Sequence, residues 1–167
     1  MSMTTAAVLG TGAWGTTFAQ VLADAGVDVT MWGRNTDTIS FINGRENPTY
    51  LPGITLSERI TATTDIAEAV VGKPLVVVAV PVKAVRATLE AARASFVPDV
   101  ALLSLAKGLE LGTLKRVDEI IADASGVPHS RIAVLSGPNL SREIAERQPT
   151  ATVVASTDVE LAKEIAR

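Results

Sequence analysis

The chain has 167 residues, of which 47% are hydrophobic and 20% charged, with a formal net charge of −3 and no cysteine. That composition describes a globular chain of about one domain and excludes a disulfide scaffold or thiolate chemistry. The slightly acidic balance argues against nucleic acid or an anionic membrane surface as partner.

The start, Met1-Ser2-Met3-Thr4-Thr5, lacks the basic and apolar regions of a secretory signal. No apolar run reaches the roughly 18 residues of a membrane span, so the expected location is the cytoplasm. Ala6 to Leu9 reads as a first strand and Thr16 to Ala25 as a first helix. Between them lies Gly10-Thr11-Gly12-Ala13-Trp14-Gly15, a G-x-G-x-x-G in strand–turn–helix context. In that context Gly10 permits the turn, Gly12 lets backbone approach a pyrophosphate, and Gly15 lets helix and strand pack closely. The helix N-terminus adds unpaired N–H groups and the positive end of its dipole.

Val27 to Trp32 alternates as a second strand, and Asn35 can cap a helix running to about Arg45. Arg59 to Thr63 is a third strand, followed by Asp65 and Glu68 as a capping box for a short helix. Leu75 to Val80 is continuously apolar, which marks a strand covered on both faces. A helix over Val82 to Ala94, a stop at Pro98 and a buried strand over Val100 to Leu105 come next. Leu114 to Ala124 reads as a helix closed by Gly126 and Pro128, and Ile132 to Leu135 as a strand. Pro138 to Glu146 suits a helix with proline in its first turn. Thr150 to Ala155 is the last strand, and Thr157 with Glu160 caps a final helix that reaches Arg167 without a closing signal. The expectation from that ending is a domain cut from a longer protein, with a short natural helix docked on the sheet as the alternative.

Strands alternating with helices predict an α/β fold with a doubly wound, mainly parallel sheet, a Rossmann-type dinucleotide-binding domain over residues 1–167. In such a sheet an acidic residue at the end of the second strand grips the 2′-hydroxyl of NAD. Here Trp32-Gly33 leads instead to Arg34, whose guanidinium suits a 2′-phosphate, so NADP(H) is favoured and NAD(H) remains allowed. Lys107-Gly108 follows a buried strand, at the end that faces the ligand crevice, where a lysine can hold a phosphate or carbonyl oxygen or simply be a solvated loop charge. Ser136-Gly137-Pro138-Asn139 reads on its residues alone as an ordinary strand-to-helix turn. Tyr50, the only tyrosine, sits in a stiff loop where it covers a ligand or plugs the core edge. His129, the only histidine, falls at the opposite end of the sheet and reads as a surface residue, and no cluster has metal-ligand spacing.

Taken in order, the glycine motif with Trp14 and Thr16, Trp32-Gly33-Arg34, Asn47-Pro48-Thr49-Tyr50-Leu51-Pro52-Gly53, Val80-Pro81, Ser104 to Glu110 and Ser136 to Asn139 closely resemble one family. It is the N-terminal domain of bacterial NAD(P)-dependent glycerol-3-phosphate dehydrogenases, oxidoreductases that reversibly reduce dihydroxyacetone phosphate to glycerol 3-phosphate for phospholipid synthesis. The resemblance implies cofactor contacts at Gly10, Gly12, Ala13, Trp14, Gly15, Arg34, Tyr50, Lys107 and Ser141, and substrate contacts at Lys107, Gly137 and Asn139. The family often has serine or threonine at the Asn139 position. An aromatic residue that some members carry after Val-Pro is Ala84 here, so no nicotinamide-stacking role passes to it. The resemblance also implies a helical second domain, absent from these residues, that supplies the general-acid lysine and much of the phosphate grip, and a homodimer for the full-length protein. On that basis the chain binds cofactor and is inactive alone. Other readings are a non-catalytic NAD(P)-binding regulatory module, and the cofactor domain of another dehydrogenase of the same architecture.

Overall fold

In a computed structural model, β1 (Thr5–Leu9), β2 (Asp28–Trp32), β3 (Ile60–Thr63), β4 (Leu75–Val78), β5 (Ala101–Ser104), β6 (Ile132–Ser136) and β7 (Val153–Ser156) form one seven-stranded sheet. The structure describes residues 3–167, so Met1 and Ser2, part of the N-terminal stretch that lacks a secretory signal, lie outside the described residues. The strand order is β3-β2-β1-β4-β5-β6-β7. Every neighbouring pair from β3 to β6 is parallel, and β7 runs antiparallel to β6. This is the doubly wound sheet expected from the alternation of elements.

Among the described residues seven α-helices connect or flank the strands: α1 (Ala13–Asp24), α2 (Thr36–Asn43), α3 (Ile66–Val70), α4 (Val82–Ala92), α5 (Val117–Ser125), α6 (Ser141–Ala145) and α7 (Val159–Ile165). Among the described residues no helix is long and apolar enough to cross a membrane. Because strand side chains alternate between faces, each central strand feeds two cores. Ala6, Val8, Leu75, Val77, Ala101 and Leu103 pack on the face covered by Phe18 and Ala19 of α1 and Leu161 of α7. Ala7, Leu9, Val76, Val78 and Leu102 pack on the other, against Val85 and Leu89 of α4 and Ile120 and Ile121 of α5. All four residues of β4 are buried, as its unbroken apolar run requires.

The caps show how local sequence sets the helix starts. The Asn35 carboxamide oxygen accepts from the Thr38 N–H at 2.8 Å, opening α2. Asp65 accepts from the Ala67 and Glu68 N–H groups. The capping box expected there is only half made, because Glu68 accepts from the Thr63 hydroxyl, to which the Asp65 N–H also donates. For α7 the cap is Asp158 and not Thr157: its carboxylate accepts from the Glu160 and Leu161 N–H groups.

Four further boundaries differ from expectation. Residues 109–116 do not begin α5 but form a small hairpin, with Leu109 bridging Arg116 and Glu110 bonded twice through its backbone to Lys115 and Leu114. Leu114 takes φ +56°, outside the helical region, so α5 cannot start before it. Helix α6 starts at Ser141, leaving Pro138 outside. Gly137 passes so close to the Ala151 carbonyl, 2.6 Å from where a Cβ would stand, that residues 137–140 run beside the chain entering β7 and do not wind into a first turn. The strand over Leu75 to Val80 ends at Val78, and α4 gives way after Ala92 to a 3-10 turn at Arg93–Ser95.

Candidate functional site

The strand order reverses between β1 and β4, and an open doubly wound sheet leaves its crevice at that point, beyond the C-terminal strand ends. A cleft of about 480 Å³ lies there. Its floor is the glycine loop after β1, the Ala79-Val80-Pro81 segment after β4 and the Leu105-Ala106-Lys107 segment after β5. Trp32, Gly33 and Arg34, at the end of β2, and Tyr50, from the loop between α2 and β3, form its other wall.

The three motif glycines meet different surroundings. Gly10 has φ +125°, and a Cβ on it would stand 2.7 Å from the Ala79 carbonyl oxygen. A Cβ on Gly15 would collide with the Gly10 carbonyl oxygen. At Gly12 nothing lies within 4 Å of the Cβ position. So Gly10 and Gly15 are required by the protein's own packing, whereas Gly12 faces open cleft at the N-cap of α1. Trp14 lines the cleft and packs edge-to-face on Phe18, ring centroids 5.9 Å apart, which fixes it to the core.

Arg34 is exposed at the cleft, in the turn before α2, and has no ion-pair partner among the described residues. Tyr50 is 48% exposed and stands at the cleft rim, so it does not plug the core; its neighbour Leu51, 2% exposed, does. Lys107 donates from Nζ to the Gly137 carbonyl oxygen at 3.0 Å, which ties the loops after β5 and β6 together.

The loop that carries Lys107 is braced from behind. Both carboxylate oxygens of Glu110 accept from Arg86 of α4, each at 2.8 Å, and Glu110 also accepts from the Thr113 hydroxyl. The Arg86 fork, reinforced by Thr113, holds the Glu110 carboxyl down at about 2 against the burial that would raise it. The same bond raises the Arg86 pKa. Lys115 pairs with Asp123 of α5, and Arg86 lies 3.6 Å from the same carboxylate, so the hairpin is fastened to two helices.

The structure brings Gly10, Gly12, Trp14, Gly15, Arg34, Tyr50 and Lys107 into one cleft. Gly137 joins them through its bond to Lys107. Ala13 opens α1 but does not line the cleft. Asn139 and Ser141 lie to one side: the Asn139 carboxamide folds over Gly137, its oxygen and nitrogen enclosed without hydrogen-bond partners among the described residues, and the Ser141 carbonyl accepts from the Thr17 hydroxyl at 3.1 Å. His129 is exposed in a 3-10 turn before β6, at the end of the sheet away from the glycine loop.

Two groups of cleft-forming residues were not singled out as site residues from the sequence. Ala79, Leu105 and Ala106 line the cleft because β4 and β5 end earlier than their apolar runs. Asn47, 1% exposed, donates to the Thr11 carbonyl and the Thr16 hydroxyl, fastening the glycine loop to the loop that carries Tyr50. Asn47 is buried while residues 43–46 and 48–50 around it are exposed, so no local pattern marks it.

Residues 5–162 match the family model described as NAD-dependent glycerol-3-phosphate dehydrogenase N-terminus. The NAD(P)+ glycerol-3-phosphate dehydrogenase of Thermobifida fusca is 53% identical over 162 residues, covering 96% of this chain and 48% of that protein. The enzyme of the same name from Streptomyces griseus is 51% identical over 161 residues, again 96% of this chain and 48% of the relative. Among solved structures, the glycerol-3-phosphate dehydrogenase of Coxiella burnetii superposes with a TM-score of 0.88 at 29% identity, over 96% of this chain and 49% of that one. The chain thus spans about half the length of the curated relatives it matches. With the doubly wound sheet, the glycine loop at its switch point and a family model matched over nearly every residue, the chain belongs to the NAD-dependent glycerol-3-phosphate dehydrogenase N-terminus family.

Proposed function

We propose that this chain is the cofactor-binding part of an NAD(P)-dependent glycerol-3-phosphate dehydrogenase. The observation that carries the reading is the open space at Gly12 within a turn that is otherwise closed by its own backbone. A pyrophosphate fits that space: the first N–H groups of α1 lack acceptors within the helix and their dipole favours an anion. Arg34, free of any described ion pair, meets the adenosine end and favours a 2′-phosphate, so NADP(H) is preferred and NAD(H) accepted. Gly10, Trp14 and Gly15 form the rest of the loop's contact surface and Tyr50 covers it from the rim; Ala13, the first residue of α1, and Ser141, on the flank, add contacts from outside the cleft lining.

A dihydronicotinamide held in the cleft supplies the hydride. Lys107 stands where cofactor and substrate meet, at the end of β5, with Gly137 and Asn139 beside it to face dihydroxyacetone phosphate. Its ammonium stabilises negative charge on the substrate, and its bond to Gly137 aims it. Reduction also needs a proton for the carbonyl oxygen. Among the described residues lining the cleft none is a carboxylate or a histidine. The general-acid lysine implied by the family resemblance belongs to a helical second domain, so residues 1–167 form half of an active site and bind cofactor without turnover; the full-length enzyme works as a homodimer. Titrating the chain with NADPH and then adding dihydroxyacetone phosphate tests both parts: saturable binding with no oxidation of NADPH is expected. Absence of binding overturns the cofactor reading, and turnover overturns the half-site reading.

A further inference from the structure

The loop between α2 and β3 is closed at its two ends by Arg45 and Leu56. The Leu56 N–H donates to the Arg45 carbonyl at 2.8 Å, and Arg45 Nε donates to the Leu56 carbonyl at 3.0 Å. Inside that closure the chain buries Asn47, Leu51 and Leu56 and leaves Tyr50 out at the cleft rim. Asn47 is the polar member of the buried set. Its backbone carbonyl accepts from the Tyr50 N–H at 3.2 Å and from the Leu51 N–H at 2.7 Å, which makes the turn that presents Tyr50. Its side-chain Nδ2 donates to the Thr11 carbonyl at 3.0 Å and to the Thr16 hydroxyl at 2.8 Å. The Thr16 hydroxyl in turn donates to the Thr11 carbonyl at 3.3 Å.

The Thr11 carbonyl therefore takes two donors from the protein side. In a planar trans peptide the C=O of one residue and the N–H of the next point in opposite directions. Fixing the Thr11 oxygen on Asn47 and Thr16 thus fixes the Gly12 N–H facing away from them. That N–H belongs to the residue whose Cβ position opens on the cleft. One buried side chain sets the direction of the peptide that meets the ligand, and the same residue's backbone sets the turn of the aromatic rim.

We infer that Asn47 is a positioning residue for dinucleotide binding: it aims the Thr11–Gly12 peptide and links the glycine loop to the turn presenting Tyr50. The inference rests on the cofactor reading above. A helix-anchoring asparagine four residues earlier provides an internal control. Asn43 exchanges two hydrogen bonds with the Ala62 backbone, at 2.9 and 2.8 Å, and ties α2 to β3 outside the cleft.

The experiment compares the wild-type chain with Asn47→Ala, Asn43→Ala and Thr16→Val. Each is read by thermal melting and by quenching of Trp14 and Trp32 fluorescence on titration with NADPH. A purely structural asparagine lowers the melting temperature and leaves affinity alone, which is the result expected for Asn43→Ala. Asn47→Ala is expected to weaken NADPH about tenfold, the scale of a lost buried hydrogen bond. Thr16→Val keeps the shape of the side chain and removes the hydroxyl that Asn47 bonds. If the two act as a unit, combining it with Asn47→Ala costs clearly less than the product of the two single losses. Wild-type binding with Asn47→Ala affinity inside twofold of it, at a melting loss like that of Asn43→Ala, overturns the positioning role alone. So do fully multiplicative losses in the pair. If Asn47→Ala does not fold, Thr16→Val decides: loss of affinity upholds the role and wild-type affinity overturns it. Failure of the wild-type chain to bind NADPH overturns the cofactor reading and the inference with it.

Discussion

Lys107 Nζ lies 3.0 Å from the carbonyl oxygen of Gly137, joining the loops that follow β5 and β6. The amine is exposed, so the bond itself adds little stability, well under about 1 kcal/mol, but it fixes where the charge sits. A ligand phosphate or carbonyl oxygen that reaches Lys107 takes over from Gly137 a donor already in place. Lys107→Met is expected to melt within a few degrees of wild type while weakening NADPH by roughly 1.5–3 kcal/mol, the range for a lost charge-assisted hydrogen bond. Melting curves and a fluorescence titration check this; unchanged affinity removes Lys107 from the cofactor site.

The brace behind that loop gives a pH dependence with a definite sign. The Glu110 carboxyl sits at about 2 in the folded chain, against an ordinary value of 4.5, because Arg86 and then Thr113 donate to it. A folded-state pKa below the unfolded one stabilises the fold at pH values above the unfolded pKa. That contribution is lost as pH falls through the window from about 4.5 to about 2. Arg86→Gln removes the fork and should return the Glu110 titration most of the way to the ordinary range. The Glu110 side-chain resonance, followed by NMR from neutral to acid pH, reads this directly. A midpoint near 4.5 in the unmutated chain contradicts the brace.

Arg34 and the cofactor's 2′-phosphate make a discrimination experiment. Arg34→Ala should weaken NADPH by roughly 1.5–3 kcal/mol and leave NADH nearly unchanged, since only the former carries the extra phosphate. Calorimetric titration of both cofactors into both proteins supplies the four dissociation constants. Equal losses for NADPH and NADH would place Arg34 on a part the two cofactors share.

Much of this architecture was legible in the residues because each relevant signal is local. The unbroken apolar run at Leu75 to Val80 marked a central strand, though it overran the end of β4 by two residues, and the strand–glycine–helix order marked the loop after β1. The misjudged starts of α5 and α6 share one cause: tertiary contacts decided them. Pro138 is a good first-turn residue, but the approach of Gly137 to Ala151 keeps that stretch out of helix. Leu114 is a good helix former, but the Glu110–Arg86 fork holds residues 109–116 as a hairpin. Asn47 escaped notice as a site residue because its partners, Thr11 and Thr16, are more than 30 residues away in sequence. The cleft membership of Arg34, Tyr50 and Lys107 follows from strand ends and resemblance, whereas the separate surroundings of the three glycines are set by Ala79, from a distant strand end, and by the fold of the loop on itself.

The glycine loop supplies the most direct test of dinucleotide binding. Gly12→Ala places a methyl where, its chain neighbours aside, no atom of the described residues lies within 4 Å and φ is −72°, so the fold should lose only about 0.5–1 kcal/mol. Gly15→Ala drives its methyl into the Gly10 carbonyl and should cost about 1–3 kcal/mol of stability. NADPH titrated into wild type and Gly12→Ala, with a melt of each, is the decisive measurement. Saturable one-to-one binding by wild type, lost by more than about tenfold in a Gly12→Ala chain that still melts cooperatively, is the expected result. Equal affinity in the two proteins, or no saturable binding by wild type, would contradict a cofactor seated on this loop.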